Sequence, residues 1–166
     1  MSRAESLSSW KDDWAGLSAM VWGLGEEGFA AADTLVELGV SVTLLTAHED
    51  SDRMAILDVL GVSTVIAPES QWLSLTHDAA SDLVVLAEGS APDVSERASL
   101  RDRGAVVWTP LELAFRLADK VGGGPRVVLT GGSQAHQIAD LAHQLLLASG
   151  LRSFRAGEQI APALDG

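Results

Sequence analysis

Three glycines spaced as Gly23-x-Gly25-x-x-Gly28 follow directly on the apolar run Ser18-Ala19-Met20-Val21-Trp22. Beyond them, Phe29 to Leu38 reads as a helix, closed by Gly39 at the position after its C-cap. A chain that passes from a strand to a helix through so short a loop has few folds open to it. The first glycine permits the tight turn, and the second lets a ligand come close to the backbone. The third lets the helix pack against the strand, leaving helix N-terminal amides aimed at a phosphate. The same residues also serve helix–strand packing alone. The loop is therefore strong evidence for the fold and weak evidence for a bound dinucleotide.

The rest of the chain repeats that first step. Val40-Ser41-Val42-Thr43-Leu44-Leu45 is a strand rich in β-branched residues, and Asp52 to Leu60 a helix closed by Gly61. Ser63 to Ala67 is a third strand, ended by Pro68, and Glu69 to Ala80 a weaker helix carrying Trp72 and Leu75. Asp82-Leu83-Val84-Val85-Leu86 is apolar without alternation, as parallel strands covered on both faces are. Glu96 to Arg103 is a helix stopped by Gly104, Ala105 to Trp108 the fifth strand, and Leu111 to Asp119 a helix after Pro110. This alternation predicts an α/β fold: a Rossmann-like, doubly wound parallel sheet of five strands within residues 18–108. The rhythm then breaks at Val121-Gly122-Gly123-Gly124-Pro125, a linker-like stretch. Beyond it, Arg126 to Thr130 reads as a strand and Ala135 to Ser149 as a long helix ended by Gly150. The expected organisation is a domain at 1–120, a linker at 121–125, and at 126–166 one strand–helix unit of an incomplete second domain.

Composition narrows the function. A formal charge of −12 repels nucleic acid and anionic membrane, so neither is an expected partner. No apolar run approaches the roughly 20 residues that cross a bilayer, and no apolar signal segment opens the chain, which points to the cytoplasm. With no cysteine, thiol catalysis, disulfides and thiolate metal sites are excluded. Any phosphate site must then work through local backbone geometry. Against a nicotinamide dinucleotide stands the end of the second strand, Leu45-Thr46-Ala47-His48, which lacks the acid that would bond a ribose. Glu26 and Glu27 would also face a diphosphate, although carboxylates there favour the helix itself.

At this point the residues resemble a known family. In order they are Trp14-Ala15-Gly16-Leu17, Gly23-Leu24-Gly25-x-x-Gly28-Phe29-Ala30, Glu112-Leu113-Ala114 with Asp119-Lys120, Thr130-Gly131, and Ala156-Gly157-Glu158-Gln159-Ile160. Together they look like the N-terminal domain and the start of the central domain of the Mur ligase family, MurD branch. The resemblance implies an N-terminal domain that holds the UDP end of UDP-N-acetylmuramoyl-L-alanine. It implies a central domain that binds ATP with Mg²⁺, and a further domain that brings D-glutamate in peptidoglycan synthesis. The acyl phosphate formed on the substrate carboxylate is then displaced by the amine.

The departures from that family concern ligand contacts. Its ATP loop, Thr-Gly-Thr-Asn-Gly-Lys-Thr-Thr, corresponds to Thr130-Gly131-Gly132-Ser133-Gln134-Ala135-His136-Gln137. Ala135 replaces the lysine for the β/γ-phosphates, His136 replaces the Mg²⁺ hydroxyl, and Gln134 replaces the last glycine. On the UDP side, Ser-Pro-Gly corresponds to Ala87-Glu88-Gly89, Asp-Thr-Arg to Thr46-Ala47-His48, and Gly-Asp to Thr109-Pro110. The implied UDP-sugar residues are thus Gly25, Glu26, Glu27, Gly28, Thr46, Glu88 and Gly89. A UDP-N-acetylmuramoyl-type ligand is expected to bind weakly or not at all, no cofactor is expected for this chain, and no residue is assigned as catalytic. A protein partner is left unidentified. The alternatives are a freestanding degenerate MurD-like binding or regulatory module and a Rossmann oxidoreductase domain.

Other constellations have plainer readings. His136, Asp140 and His143 share one helical face, opposite Ile138, Leu141, Ala142 and Leu145. They read as the solvated side of an amphipathic helix rather than as a metal site. Asp12, Asp13, Glu49, Asp50 and Asp52 read as caps and surface charge. Trp10 and Trp14 read as packing of the N-terminal segment on the sheet edge; Ser133 lacks a nearby base–nucleophile pattern, so hydrolase chemistry has no support, and His48 and His77 have no partner that sequence can name.

Overall fold

The alternating pattern builds a parallel sheet with helices on both faces. A computed structural model of the protein describes residues 2–87, 93–121, 127, 129, 134–153 and 155. The elements run α1 (Arg3–Ser6), β1 (Ser18–Trp22), α2 (Glu26–Glu37), β2 (Ser41–Thr46), α3 (Ser51–Val59) and β3 (Ser63–Ile66). A 3₁₀ turn at Glu69–Gln71 leads into α4 (Trp72–Ala79), then β4 (Leu83–Leu86), α5 (Val94–Asp102), β5 (Val106–Trp108) and α6 (Pro110–Arg116). A second 3₁₀ turn, Ala118–Val121, and α7 (Gln134–Ala148) complete the described elements. The five strands are ordered β3-β2-β1-β4-β5, and every pairing is parallel. That is the doubly wound sheet the sequence predicts.

Register follows from burial. Val21 pairs with Leu44 on one side and Val85 on the other, and all three are at most barely exposed. On one face Val21, Leu44 and Val85 pack with Ala31 and Leu35 of α2, Leu57 of α3 and Leu113 of α6. On the other face Met20, Trp22, Leu45 and Val84 pack with Trp72 of α4 and Leu100 of α5. Burying one such leucine or valine side chain stabilises the fold by about 1.5–3 kcal/mol. The second core contains polar atoms, and they are satisfied. Trp22 Nε1 donates to Thr76 Oγ1 at 2.9 Å, and that hydroxyl donates to the Trp72 carbonyl at 2.7 Å.

The N-terminal segment is tied down by side chains at the base of the sheet. Trp14 is buried edge-on to Trp108 of the edge strand β5, with ring centroids 6.1 Å apart, as the packing reading of the tryptophans expects. Arg116 donates to the Leu7 carbonyl at 2.6 Å and lies over the Trp108 ring. Asp119 accepts from the Ser9 hydroxyl at 2.5 Å and the Trp10 amide at 2.7 Å. The Ser9 bond first, then the Trp10 amide, hold its carboxyl below the ordinary value of 3.8.

The differences from the sequence reading are local. The helix after the glycine loop begins at Glu26 rather than Phe29, because Gly25 itself adopts the extended N-cap conformation. The short α1, capped by Ser2 on the Glu5 amide, carries no periodic signal and is missed by the sequence reading. The expected linker glycines at 122–124 and the strand at Arg126 to Thr130 fall outside the described elements.

Candidate functional site

A cleft of about 360 Å³ opens at the carboxyl ends of β1 and β2. This is within the size range of about 300–1,000 Å³ for small-molecule sites, at the sheet end where α/β proteins bind ligands. Its first wall is the glycine loop, Gly23 to Gly25. The second is the β2–α3 connection, Thr46 to Asp50, and Glu69 and Trp72 close the third side. The sheet reverses its winding between β1 and β4, the residues of β4 leading towards Glu88. Glu88 and Gly89 of the implied UDP site lie outside the described residues.

The three glycines have different physical reasons. Gly23 has a φ of +100°, a left-handed turn residue that lets its amide reach the Leu45 carbonyl at 2.9 Å. Gly28 lies against that turn: a Cβ there would stand 1.9 Å from the Gly23 carbonyl oxygen and 3.2 Å from Ala87 Cβ. Gly25 is different. Its φ is −71°, and a Cβ added to it would meet nothing within 4 Å. Neither backbone conformation nor packing asks for glycine there, and it borders the cleft. Gly25 is also the N-cap of the 12-residue helix α2 and supplies no side-chain bond to the first-turn amides.

Of the other implied UDP-sugar residues, Thr46 lines the cleft opposite Gly25, but its hydroxyl is turned to its own loop, donating to the His48 carbonyl at 2.8 Å. Glu26 and Glu27 form the first turn of α2, where carboxylates complement the helix dipole. Glu26 is exposed and Glu27 half-buried. Neither is among the residues lining the cleft.

The sequence reading misses four contributors. Glu49 and Asp50 are caps and surface charge in sequence, and Asp50 does cap α3, accepting from the Arg53 amide at 3.1 Å. Yet both also line the cleft, as does Glu69. The fourth, Arg53, stands beside the cleft rather than in its lining. Its Nη1 donates to the Leu24 carbonyl at 3.3 Å and stands 3.6 Å from Asp50 Oδ2. The available signal was a cation in the first turn of a helix, where the macrodipole disfavours it.

Of the implied ATP loop, Thr130 to Ser133 lie outside the described residues. Gln134, Ala135 and His136 form the first turn of α7, with Gln134 and His136 exposed, and none of them lines the cleft. That turn offers neither an ammonium for phosphates nor a hydroxyl for Mg²⁺, so these residues do not fit Mg-ATP. On the same helix Asp140 pairs with Arg155, and His143 Nδ1 shares a hydrogen bond of 2.6 Å with Ser153 Oγ. Among the described residues no group of three metal-ligating side chains converges, and no helix is long and apolar enough to cross a membrane.

No family model matches the chain. Curated relatives do. UDP-N-acetylmuramoylalanine–D-glutamate ligase of Tropheryma whipplei (strain Twist) is 38% identical over 165 residues, covering 99% of this chain and 34% of the ligase. The enzymes of that name from Leifsonia xyli and Mycolicibacterium smegmatis are 33% and 35% identical, over 98% and 90% of this chain and 33% and 30% of their own lengths. Solved structures with a similar arrangement include the A chain of dipicolinate synthase from Bacillus subtilis, with a TM-score of 0.42 and 16% identity, covering 84% of this chain and 48% of that one. Another is the shikimate dehydrogenase of Mycobacterium tuberculosis, with a TM-score of 0.43 and 20% identity, covering 75% of this chain and 57% of that one. Neither likeness bears on what this chain binds. The sequence match runs through the glycine loop, the sheet and α7 alike, and on it the chain is MurD-like over nearly its whole length while spanning about a third of the length of the ligases it matches.

Proposed function

We propose that this chain is a MurD-type module of peptidoglycan precursor synthesis, related to the addition of D-glutamate to UDP-N-acetylmuramoyl-L-alanine, and not catalytic by itself. The observation that carries the MurD-type role is identity of 38% spread over 165 residues with a ligase of that name. The absence of catalysis is supported by Ala135 and His136 in the first turn of α7, where the family's lysine and Mg²⁺ hydroxyl are expected. Under this reading residues 1–120 are the UDP-binding type of domain, and residues 126–166 open an ATPase-type domain whose phosphate loop is degenerate. Isothermal titration with Mg-ATP is expected to give no binding and no hydrolysis. Micromolar affinity for Mg-ATP would sink the claim.

The UDP end of the substrate is expected to bind weakly or not at all. Glu49, Asp50 and Glu69 line the cleft, and Glu26 and Glu27 begin the adjoining helix. A like charge at about 4–6 Å in partly screened surroundings costs on the order of a few kcal/mol. Attraction by a helix N-terminus returns only about 0.3–1 kcal/mol at an exposed site. NMR titration with UDP-N-acetylmuramoyl-L-alanine should therefore give no specific shifts at Gly25 to Gly28. Specific shifts there at low ligand concentration would overturn the reading of an eroded site.

A second reading, a freestanding binding or regulatory module, is favoured by one observation. Helix α7 has no buried residue, and its apolar face keeps Ile138, Leu141 and Leu145 more than half exposed.

A further inference from the structure

We propose that residues 8–13 form a releasable latch on the point where the chain leaves the sheet, and that this latch sets where the linker-like stretch after Lys120 begins. Nothing in the latch depends on the MurD-type role. Residues 8–13 lie between two anchors that belong to the core: Leu7 and Trp14 are buried, whereas 8–13 are exposed or half-buried. The shape of this hook is fixed from within. The Asp12 carboxylate accepts from the Ser8 amide at 2.8 Å and the Ser9 amide at 3.0 Å. Trp14 Nε1 donates to the Ser9 carbonyl at 2.9 Å, which ties the hook to its buried anchor. So held, the Ser9 hydroxyl and the Trp10 amide both donate to the Asp119 carboxylate, at 2.5 and 2.7 Å. The next residue, Lys120, stands 4.1 Å over the Trp10 ring and reaches Glu37 of α2 at 2.7 Å.

Burial falls away along the exit that the hook holds. Leu117 is buried, Ala118 half-buried, and Asp119 and Lys120 exposed. The 3₁₀ turn there closes locally on the Lys120 amide, which donates to the Leu117 carbonyl at 3.0 Å. The bonds to the Asp119 carboxylate instead come from residues 110 and 109 positions earlier in the chain. Exposed polar ties of this kind are individually weak, because water and salt compete for them. A buried side chain such as Trp14 leaves its place only at the cost of the core. The hook therefore lets go of Asp119 and Lys120 while Leu7, Trp14 and the sheet stay where they are, a local opening well below global unfolding. Once released, residues 118–121 add to the linker-like stretch that follows them in sequence. The longer tether lowers the effective concentration of whatever lies beyond it at the sheet.

Amide exchange measured by NMR on the full chain tests this, with a Ser9→Ala, Trp10→Ala double variant beside the unmodified protein. Both substitutions lie on the hook, and the exit is read 110 residues away from them at the Lys120 amide. Its exchange is expected to quicken by on the order of tenfold, the scale of one hydrogen bond to a charged group. The amides of Val21 in β1 and Val85 in β4 should change by less than about twofold. A Lys120 amide unchanged by the double variant, or already unprotected in the unmodified chain, would mean that the hook does not hold the exit. An equal rise at Val21 and Val85 would mean that the hook is part of the cooperative core and not releasable. Each of these results overturns the proposal. Should the double variant fail to fold by circular dichroism, Ser9→Ala alone replaces it. About threefold faster exchange at Lys120 is then expected, the scale of one exposed tie, and no change counts against the latch.

Discussion

Helices α2 and α7 are both amphipathic in sequence, yet they end in opposite situations. The 12 residues of α2 bury Gly28, Ala30, Ala31, Ala32, Thr34 and Leu35 against the sheet and its neighbours. The 15 residues of α7 bury none, and Leu141 and Leu145 remain 59% exposed. The difference does not lie in apolar content, since α7 carries more leucine than α2. It lies in what each helix has to pack on. A helix gains most of its stability from burying one face against another element. For α2 the strands β1 and β2 supply that surface through Val21 and Leu44. An apolar stripe therefore announces that a helix needs a partner without saying where the partner is.

Gly28→Ala should have the largest effect. With only 1.9 Å between a new Cβ and the Gly23 carbonyl oxygen, α2 would have to leave β1. Destabilisation of about 5 kcal/mol or more, the exceptional end for one substitution, is expected in urea unfolding. Gly25→Ala, at an N-cap where alanine is disfavoured, should cost only about 1 kcal/mol. A similar loss at both positions would mean that the loop is a packing device throughout.

Leu35→Ala and Leu145→Ala test the two helices directly. Leu35 is fully buried, and its truncation should cost about 3 kcal/mol. Leu145→Ala should change stability by less than about 0.5 kcal/mol. A large effect at Leu145 would show that α7 is covered in solution and would end the contrast. Within the packed region, Thr76→Val removes the hydroxyl that accepts from Trp22 Nε1 and donates to the Trp72 carbonyl, and should cost about 1–3 kcal/mol, read by the same denaturation.

The smallest effect is a pH dependence at the base of the sheet. Asp119 is held below its ordinary value by Ser9 and Trp10. Its contribution is therefore complete above about 3.8 and is lost as pH falls through the lower folded-state value. Ser9→Ala should raise the Asp119 pKa towards that ordinary value, followed by NMR titration of its carboxyl carbon. An unchanged titration would mean that the Trp10 amide alone sets it.

Much of this architecture is legible in the sequence for a simple reason. Leu83 to Leu86 lie under helices on both faces, so the strand is apolar at every position and cannot be mistaken for an exposed one. Helix ends are written in short-range chemistry: Thr109 caps α6 just before Pro110, and Asp93 with Glu96 forms a capping box at α5. The cleft was half legible. Gly25 and Thr46 follow from the loop and the strand end, whereas Asp50 and Arg53 look like an ordinary cap and an ordinary surface cation.

The sequence by itself determined the five parallel strands, the glycine turn and the relation to the ligases, because each is recorded in local pattern or in residue order. Only the tertiary structure decided which glycine is free of internal duty, which acids line the cleft and where Arg53 points. Those depend on Leu24 and Arg53, 29 residues apart, being brought together. Side-chain direction across that distance is set by how α3 docks beside the glycine loop, and no periodicity along the chain encodes it.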